Sequence, residues 1–263
     1  MADDSLNEKG SGSASREART RNPAPEAGIP EPGPRTPRPG TSPRLVVAID
    51  GPSGAGKSTI GKALARAFGY LYIDSGAVYR AIARKALDTS VDLANAAAMA
   101  ELARGAEIRL EGDPDHLRVF LDGAEVTKAI RLPDASSASS VVAIIPEVRA
   151  AVVAKLREMA RAGGVVMDGR DIGTKVFPQA QVKVFLDAGL EVRARRRCDE
   201  ERARGRDVSL EQVAGELAER DRRDRERAAT PLVQAPDAIA VDTSEMSLDA
   251  VIERVLEIVQ GRS

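Results

Sequence analysis

The sequence predicts an α/β fold: a parallel, doubly wound sheet with helices on both faces. Three observations carry that expectation. Short apolar runs rich in β-branched residues, such as RLVVAID at 44–50 and QVKVFLDA at 181–188, alternate with longer stretches of helical apolar spacing. A glycine-rich string, GPSGAGKST at 51–59, stands between the first strand and the first helix. Residues 106 to about 126 interrupt the alternation with short segments split by Gly, Asp and Pro, which predict a small antiparallel β insertion.

The elements follow in order. After the first strand, KSTIGKALARAFG has apolar residues at helical spacing and Gly69 as its stop. YLYID at 70–74 reads as a strand and SGAVYRAIARKAL at 75–87 as a helix that Asp74 and Ser75 can cap. DLANAAAMAELARG predicts a helix with Asp92 as cap and Gly105 as stop. AEIRLEG, HLRVFLD and GAEVT form the β unit, inside an insertion of about residues 105–145. A helix is expected from about Pro146 to Ala162, a buried strand in GGVVMDGRD, and an arginine-rich helix from about Leu190 to Arg204. SLEQ at 209–212 is a capping box for the next helix. DAIAVDT is the last strand, and Ser247 caps the last helix.

Composition narrows the function classes. The 263 residues allow one α/β domain with an insertion, and 43% hydrophobic content supplies a core. A formal net charge of −1 gives no global attraction to nucleic acid or membranes, so anions must be met by local arginine clusters. Aromatic residues at 3%, with no Trp, argue against base-stacking platforms. The lone Cys198 excludes an internal disulfide, and the lone His116 reads as a solvated loop residue. Residues 1–43 are rich in Pro and Gly, with too little apolar surface to offset ordering entropy, and read as a disordered tail. No apolar run approaches the roughly 18 residues of a membrane span, and the polar start lacks a signal-peptide centre. A cytoplasmic protein is expected.

The glycine-rich string fits G-x-x-x-x-G-K-[ST] between a strand and a helix. Glycines let backbone N–H groups converge on phosphate oxygens, and the helix start adds its positive dipole end. The expected ATP-binding residues are Gly51, Pro52, Ser53, Gly54, Ala55, Gly56, Lys57, Ser58 and Thr59, with Lys57 on the β- and γ-phosphates and Ser58 on Mg²⁺. This is a P-loop NTPase-type signal. It names a nucleoside triphosphate but not the acceptor.

Three later strings address the acceptor: DSGAVYR at 74–80, DGRDIGT at 168–174 and ERDRRDRERAATPLV at 219–233. With the phosphate loop, and in this order, they resemble the bacterial cytidylate kinases, nucleoside monophosphate kinases that phosphorylate CMP and dCMP with ATP and Mg²⁺. The resemblance runs over about residues 44–260, within an expected kinase domain of 44–263. It implies that Ser75, Arg80 and Arg170 hold the acceptor phosphate, with Lys57, Arg80 and Arg170 catalytic. Ser140, Arg149 and Asp171 would read the cytosine edge, and Arg227 would add a base-side contact. Arg220 and Asp224 would hold the ribose. It further implies a monomer acting on small molecules, with no nucleic-acid or membrane partner.

The residue types suit that chemistry. Bringing two phosphates together needs positive charge in a dry site, and a phosphate monoester needs no strong base near pH 7 because its second pKa is about 6. Arginine is preferred because its planar fork holds two oxygens. A carboxylate at Asp171 would accept from cytosine N4–H and repel the uracil carbonyl. Asp168, closing a buried strand, is a candidate to hold a water on Mg²⁺. Residues 189–207 are the expected helical lid, with Arg193, Arg197 and Arg204 as candidates over the transferring phosphoryl group. The run from Arg220 to Arg227 would, alone, be a solvated salt-bridged face. Two rival readings remain at this point. A shikimate- or adenylate-type kinase is opposed by the insertion and DGRDIGT. A nucleic-acid-binding NTPase module is opposed by the near-zero charge and scarce aromatics. A GTP switch fails for want of a guanine-reading N-K-x-D string.

Overall fold

The computed structural model describes residues 44–226 and 231–262. The tail of 1–43 and Arg227 lie outside the described residues. β1 (Val46–Asp50), β2 (Leu71–Asp74), β6 (Val165–Gly169), β7 (Val182–Asp187) and β8 (Ile239–Asp242) form one parallel sheet. Their order is β2-β6-β1-β7-β8. β1 is therefore central, and the chain leaves it at the crevice beyond the strands' carboxyl ends, where open α/β sheets bind ligands.

Alternation along the strands explains the two-faced core. Ala48, Ile73, Val165 and Met167 face one layer, made with α2 (Ser75–Asp88), α3 (Ala96–Gly105) and α5 (Pro146–Met159). Val47, Ile49, Tyr72, Val166, Val184 and Val241 face the other, made with α1 (Lys57–Phe68) and α8 (Leu248–Gln260). A strand buried on both sides carries apolar residues at every position, as VVAI and VVM do. α6 (Leu190–Ala203) and α7 (Leu210–Glu226) pair through a separate cluster of Ala194, Cys198, Val213 and Leu217. Cys198 is thus packed inside this helix pair.

The antiparallel unit is present as β3 (Ile108–Glu111), β4 (Arg118–Leu121) and β5 (Ala124–Glu125). His116 is exposed on its β3–β4 loop, beside Asp113. Capping follows the sequence at Asp74, which accepts from the Ala77 N–H at 3.0 Å, and at Ser247, which accepts from Ala250 at 3.2 Å. Gly69 ends α1 in the left-handed conformation, φ 65°. Ser209 accepts from the Gln212 N–H at 3.1 Å, but the Gln212 side chain donates onward to Glu216, so only half of the capping box forms.

Two expectations need correction. Asn95, not Asp92, caps α3, accepting from Ala98 at 3.1 Å. Asp92 instead accepts from Ala94, two residues on, making the turn before the helix. The second correction is a helix that apolar periodicity does not show, α4 (Pro133–Val142). Its SSASS core looks like a loop. Ser139 and Ser140 nevertheless lie buried, because each hydroxyl donates to a carbonyl one turn back, Ser136 at 2.7 Å and Ser137 at 2.8 Å. Pro133 at the helix start costs no hydrogen bond, since that N–H would have no partner.

The turn after β1 allows no side chain at Gly51. Its φ is +148°, and an added Cβ would lie 2.0 Å from the Leu186 carbonyl oxygen on β7. Gly51→Ala is expected to lower the unfolding free energy by about 2 kcal/mol or more, read as a drop of several degrees in the thermal midpoint. A midpoint equal to that of the parent would contradict this approach of the turn to β7.

Candidate active site

The phosphate loop leaves β1 and enters α1 through Gly54 and Gly56, both at positive φ (82° and 89°). Lys57 is buried and donates from Nζ to the Pro52 carbonyl at 2.6 Å, across its own loop. Burial, and then the charges of Arg170 and Arg220, push its pKa down to about 7, against the pull of Asp168 and Asp50. Loop and lysine open onto a cleft of about 730 Å³, a volume usual for small-molecule sites.

Three aspartates stand at or next to the carboxyl ends of the adjacent strands β1, β2 and β6, and each has its own task. Asp50 accepts from the N–H groups of Ile172 and Gly173, both at 2.7 Å. It thereby caps a π-helical turn, Ile172–Val176, and ties the DGRD loop to β1. Burial raises its pKa to about 6, and the two N–H groups restrain the rise. Asp74 caps α2 and receives Arg80 Nη2 at 2.7 Å. Burial works to raise its pKa, but Arg80 and the Ala77 N–H outweigh it and hold the carboxyl below its usual range. Asp168 accepts from the Ser58 hydroxyl at 2.8 Å and the Tyr72 hydroxyl at 3.2 Å. Burial and the charge of Asp74 raise it to about 6.

The Ser58–Asp168 pair is a hard-oxygen donor set beside the phosphate loop, and among the described residues its carboxylate forms no ion pair. Such a set fits Mg²⁺, which binds through one or two protein oxygens and completes its shell with water and substrate phosphates. No cluster of three or more His, Cys, Asp or Glu side chains suited to a metal occurs among the described residues.

The other expected residues converge as follows. Ser75, Arg80, Ser140, Arg170, Asp171, Arg220 and Asp224 all reach the cleft wall. The Ser75 hydroxyl donates to the Asp168 carbonyl at 2.7 Å, joining α2 to β6. Arg170 donates from Nε to Asp224 at 2.8 Å, so the β6 loop and α7 meet in one ion pair. Arg149 does not stand on the wall. It lies buried behind Asp171, pairs with it through Nη2, and donates to the Ala143 carbonyl at 3.1 Å.

The expected lid arginines divide. Arg197 and Arg204 line the cleft. Arg193 does not: it is buried and fully engaged, donating to the Ala188 carbonyl at 2.8 Å and the Ser53 carbonyl at 3.1 Å and pairing with Asp221 at 2.7 Å. It ties α6 and α7 to the phosphate loop, and its place as a candidate over a transferring group is withdrawn. A position early in α6 puts it under the loop, with Gly54 packed on its Cβ.

Sequence reasoning missed several residues of the site. Asp50 and Tyr72 hold the DGRD loop and Asp168 from strand positions that look purely structural. Arg196 lines the cleft and donates to Thr243 Oγ1 at 2.9 Å, linking α6 to the end of β8. Arg223 donates to the Ser140 hydroxyl at 2.9 Å, joining α7 to α4. From the insertion, Leu117, Arg131 and Ser136 also reach the wall. The arginine run was visible, but helix phase alone does not say which arginine meets which wall.

Comparison with known proteins gives a consistent family. A family model described as cytidylate kinase matches residues 47–261. A cytidylate kinase of Exiguobacterium sibiricum is 48% identical over 218 residues, covering 83% of this chain and 98% of that protein. One from Geobacillus kaustophilus is 48% identical over 219 residues, covering 83% and 98%. One from Solibacter usitatus is 50% identical over 221 residues, covering 83% and 94%.

The lowered Lys57 pKa has a measurable sign. Below about pH 7 the lysine already carries its proton; above it, a polyanion restores the charge and must bring in a proton. Inorganic tripolyphosphate binding is therefore expected to take up protons at about pH 8 and to weaken as pH rises past about 7. Calorimetry in two buffers of different ionisation enthalpy reads the uptake, and Lys57→Met should abolish it. Binding at about pH 8 without proton uptake would contradict the assignment.

Proposed function

The chain belongs to the cytidylate kinase family, and from that premise we propose that it transfers the γ-phosphoryl group of ATP to CMP and dCMP, giving CDP and dCDP. One observation carries the reading to this chain's own residues: the phosphate loop and the side chains of Arg80, Arg170 and Arg220, from segments far apart in sequence, share one cleft. In this reading residues 44–263 are the kinase domain, residues of about 105–145 serve the acceptor, and about 189–207 form the lid. The residues given these roles all belong to one chain, and a monomer is the proposed state. Both substrates are cytoplasmic metabolites, which fits a cytoplasmic enzyme. Among the described residues no single helix is long and apolar enough to cross a membrane.

The chain's residues act by placement and charge. Backbone N–H groups of 53–58 and the Lys57 ammonium hold the donor's β- and γ-phosphates. Ser58 would bind Mg²⁺ and Asp168 would hold a water on it; the ion would supply charge neutralisation to the phosphates. Arg80 and Arg170 hold the acceptor phosphate, with Ser75 beside them. Asp74 orients Arg80, and Asp224 orients Arg170. The Asp224 carboxylate pairs with Arg170 and stands at the cleft wall, where it would meet a ribose hydroxyl. The acceptor phosphate is mostly dianionic near neutral pH, so no side chain has to remove a proton before attack. Positive charge that offsets the repulsion of two anions, in a site closed to water, is the protein's main contribution.

Asp171 and Ser140 are the proposed readers of cytosine, and Arg149 holds Asp171 from behind. Cytosine N4–H would donate to Asp171, whereas the uracil carbonyl at that place would meet a carboxylate.

A coupled assay with ATP and Mg²⁺ across CMP, dCMP, UMP, AMP and shikimate is expected to give turnover on the cytidine nucleotides at least tenfold above the rest. Turnover no faster with CMP or dCMP than without an acceptor would end the reading. Replacing Asp171 by Ala would leave the buried Arg149 with neither counter-charge nor acceptor, whereas Asn keeps an acceptor oxygen for it, so the more informative variant is Asp171→Asn. It is expected to lower the CMP-over-UMP ratio of kcat/KM by about tenfold or more. An unchanged ratio would remove Asp171 from the readout.

A further inference from the structure

Glu201, near the end of α6, gathers three guanidinium groups. Arg197 reaches it from Nη2 at 2.7 Å and Arg204 from Nη1 at 3.1 Å, and Arg206 pairs with its second oxygen. Its side chain is only 8% exposed. Its neighbour Glu200 approaches the same two arginines, with Arg197 Nη1 at 3.1 Å and Arg204 Nη2 at 3.9 Å. The Glu200 side chain is 53% exposed. Arg197, Glu200 and Arg204 line the cleft that also holds the phosphate loop, and Glu201 stands behind them.

The two carboxylates differ in how readily they release an arginine. A buried carboxylate cannot let go without stranding charge away from water. An exposed one exchanges its partner for water at little cost. A polyanion entering the cleft offers Arg197 and Arg204 the same kind of oxygen that Glu200 offers, with more charge behind it. Each guanidinium has five N–H donors in a fixed fork, so an arginine held by Glu201 on one edge still presents another.

We infer that Glu201 is a positioning residue, the fixed anchor of Arg197 and Arg204, and that Glu200 is a stand-in anion displaced by the donor's phosphate chain. The inference rests on the reading of the cleft as the ATP site. Glu201 touches no substrate and acts through the two arginines. The arrangement keeps the lid cations paired while the cleft holds no polyanion, and releases only the edge that the phosphates use.

Steady-state kinetics with ATP and CMP separate the two roles. Removing the competing charge in Glu200→Gln is expected to lower the KM for ATP about two- to fivefold. Freeing the arginines in Glu201→Gln is expected to lower kcat about tenfold, with a smaller change in KM. Adding Glu201→Gln to the pair Arg197→Ala/Arg204→Ala should cause no further loss, because Glu201 acts only through those two guanidinium groups. An unchanged or higher KM in Glu200→Gln overturns the inference. So does an independent, multiplying loss when Glu201→Gln is added to Arg197→Ala/Arg204→Ala, which would make these pairs an ordinary surface lattice. Thermal melts report folding. If Glu201→Gln does not fold, the Glu200→Gln arm decides, since that side chain is exposed. A parent protein inactive on CMP would instead remove the underlying reading.

Discussion

Mutual repulsion among cations is the constraint on which this site depends. A site for two phosphates needs many positive groups close together, and the protein must fold before either phosphate arrives. The solution here is a carboxylate beside most of the arginines at or behind the cleft. Arg80 is held by Asp74, Arg170 by Asp224, Arg149 by Asp171 and Arg193 by Asp221. The near-zero net charge of the chain is the sum of this pairing as well as of its surface. Lys57 carries the remaining strain: among the described residues its hydrogen-bond partner is a carbonyl, and burial beside Arg170 lowers its proton affinity.

The parallel sheet makes that pairing possible. β6 lies between β1 and β2, so the ends of the three strands and the turns that follow them open on one side. Asp74 pairs in register with Asp168, and Asp50 with Gly169. Three carboxylates within one crevice would repel one another if all faced the same solvent. Each is instead turned to a separate set of donors: backbone N–H groups for Asp50, a guanidinium for Asp74, and two hydroxyls for Asp168. Asp168, with the weakest donors, is the one left able to face a divalent cation.

Contacts across the cleft come from elements that lie far apart in the chain. Arg223 joins α7 to α4, Arg170 joins the β6 loop to α7, and Arg196 joins α6 to the end of β8. These are polar links between layers, whereas each layer's own cohesion is apolar. Polar links can exchange one partner for a phosphate oxygen without disturbing the core beneath them. That division lets a rigid sheet carry a cleft whose polar links are separate from its core.

Much of the fold was legible in the chain. Alternation of apolar runs with helical spacing marked the strands and most helices, because burial on both faces forces apolar residues at every strand position. The phosphate loop was legible in full, since its glycines answer to local backbone geometry, as at Gly51, Gly54 and Gly56. α4 was not, because its serines satisfy their hydroxyls within the helix, and apolar periodicity does not register that. Asn95 and Asp92 are equally good caps in isolation; the packed face of α3 chose between them. By itself the sequence determined the kinds of groups available and the local turns that present them. Only the tertiary structure decided that Arg193 braces the phosphate loop while Arg197 and Arg204 face the cleft, and that Arg149 stands behind Asp171. Arginine's reach is several ångströms in any direction, so its role depends on which carboxylates and carbonyls the packed elements bring within that reach.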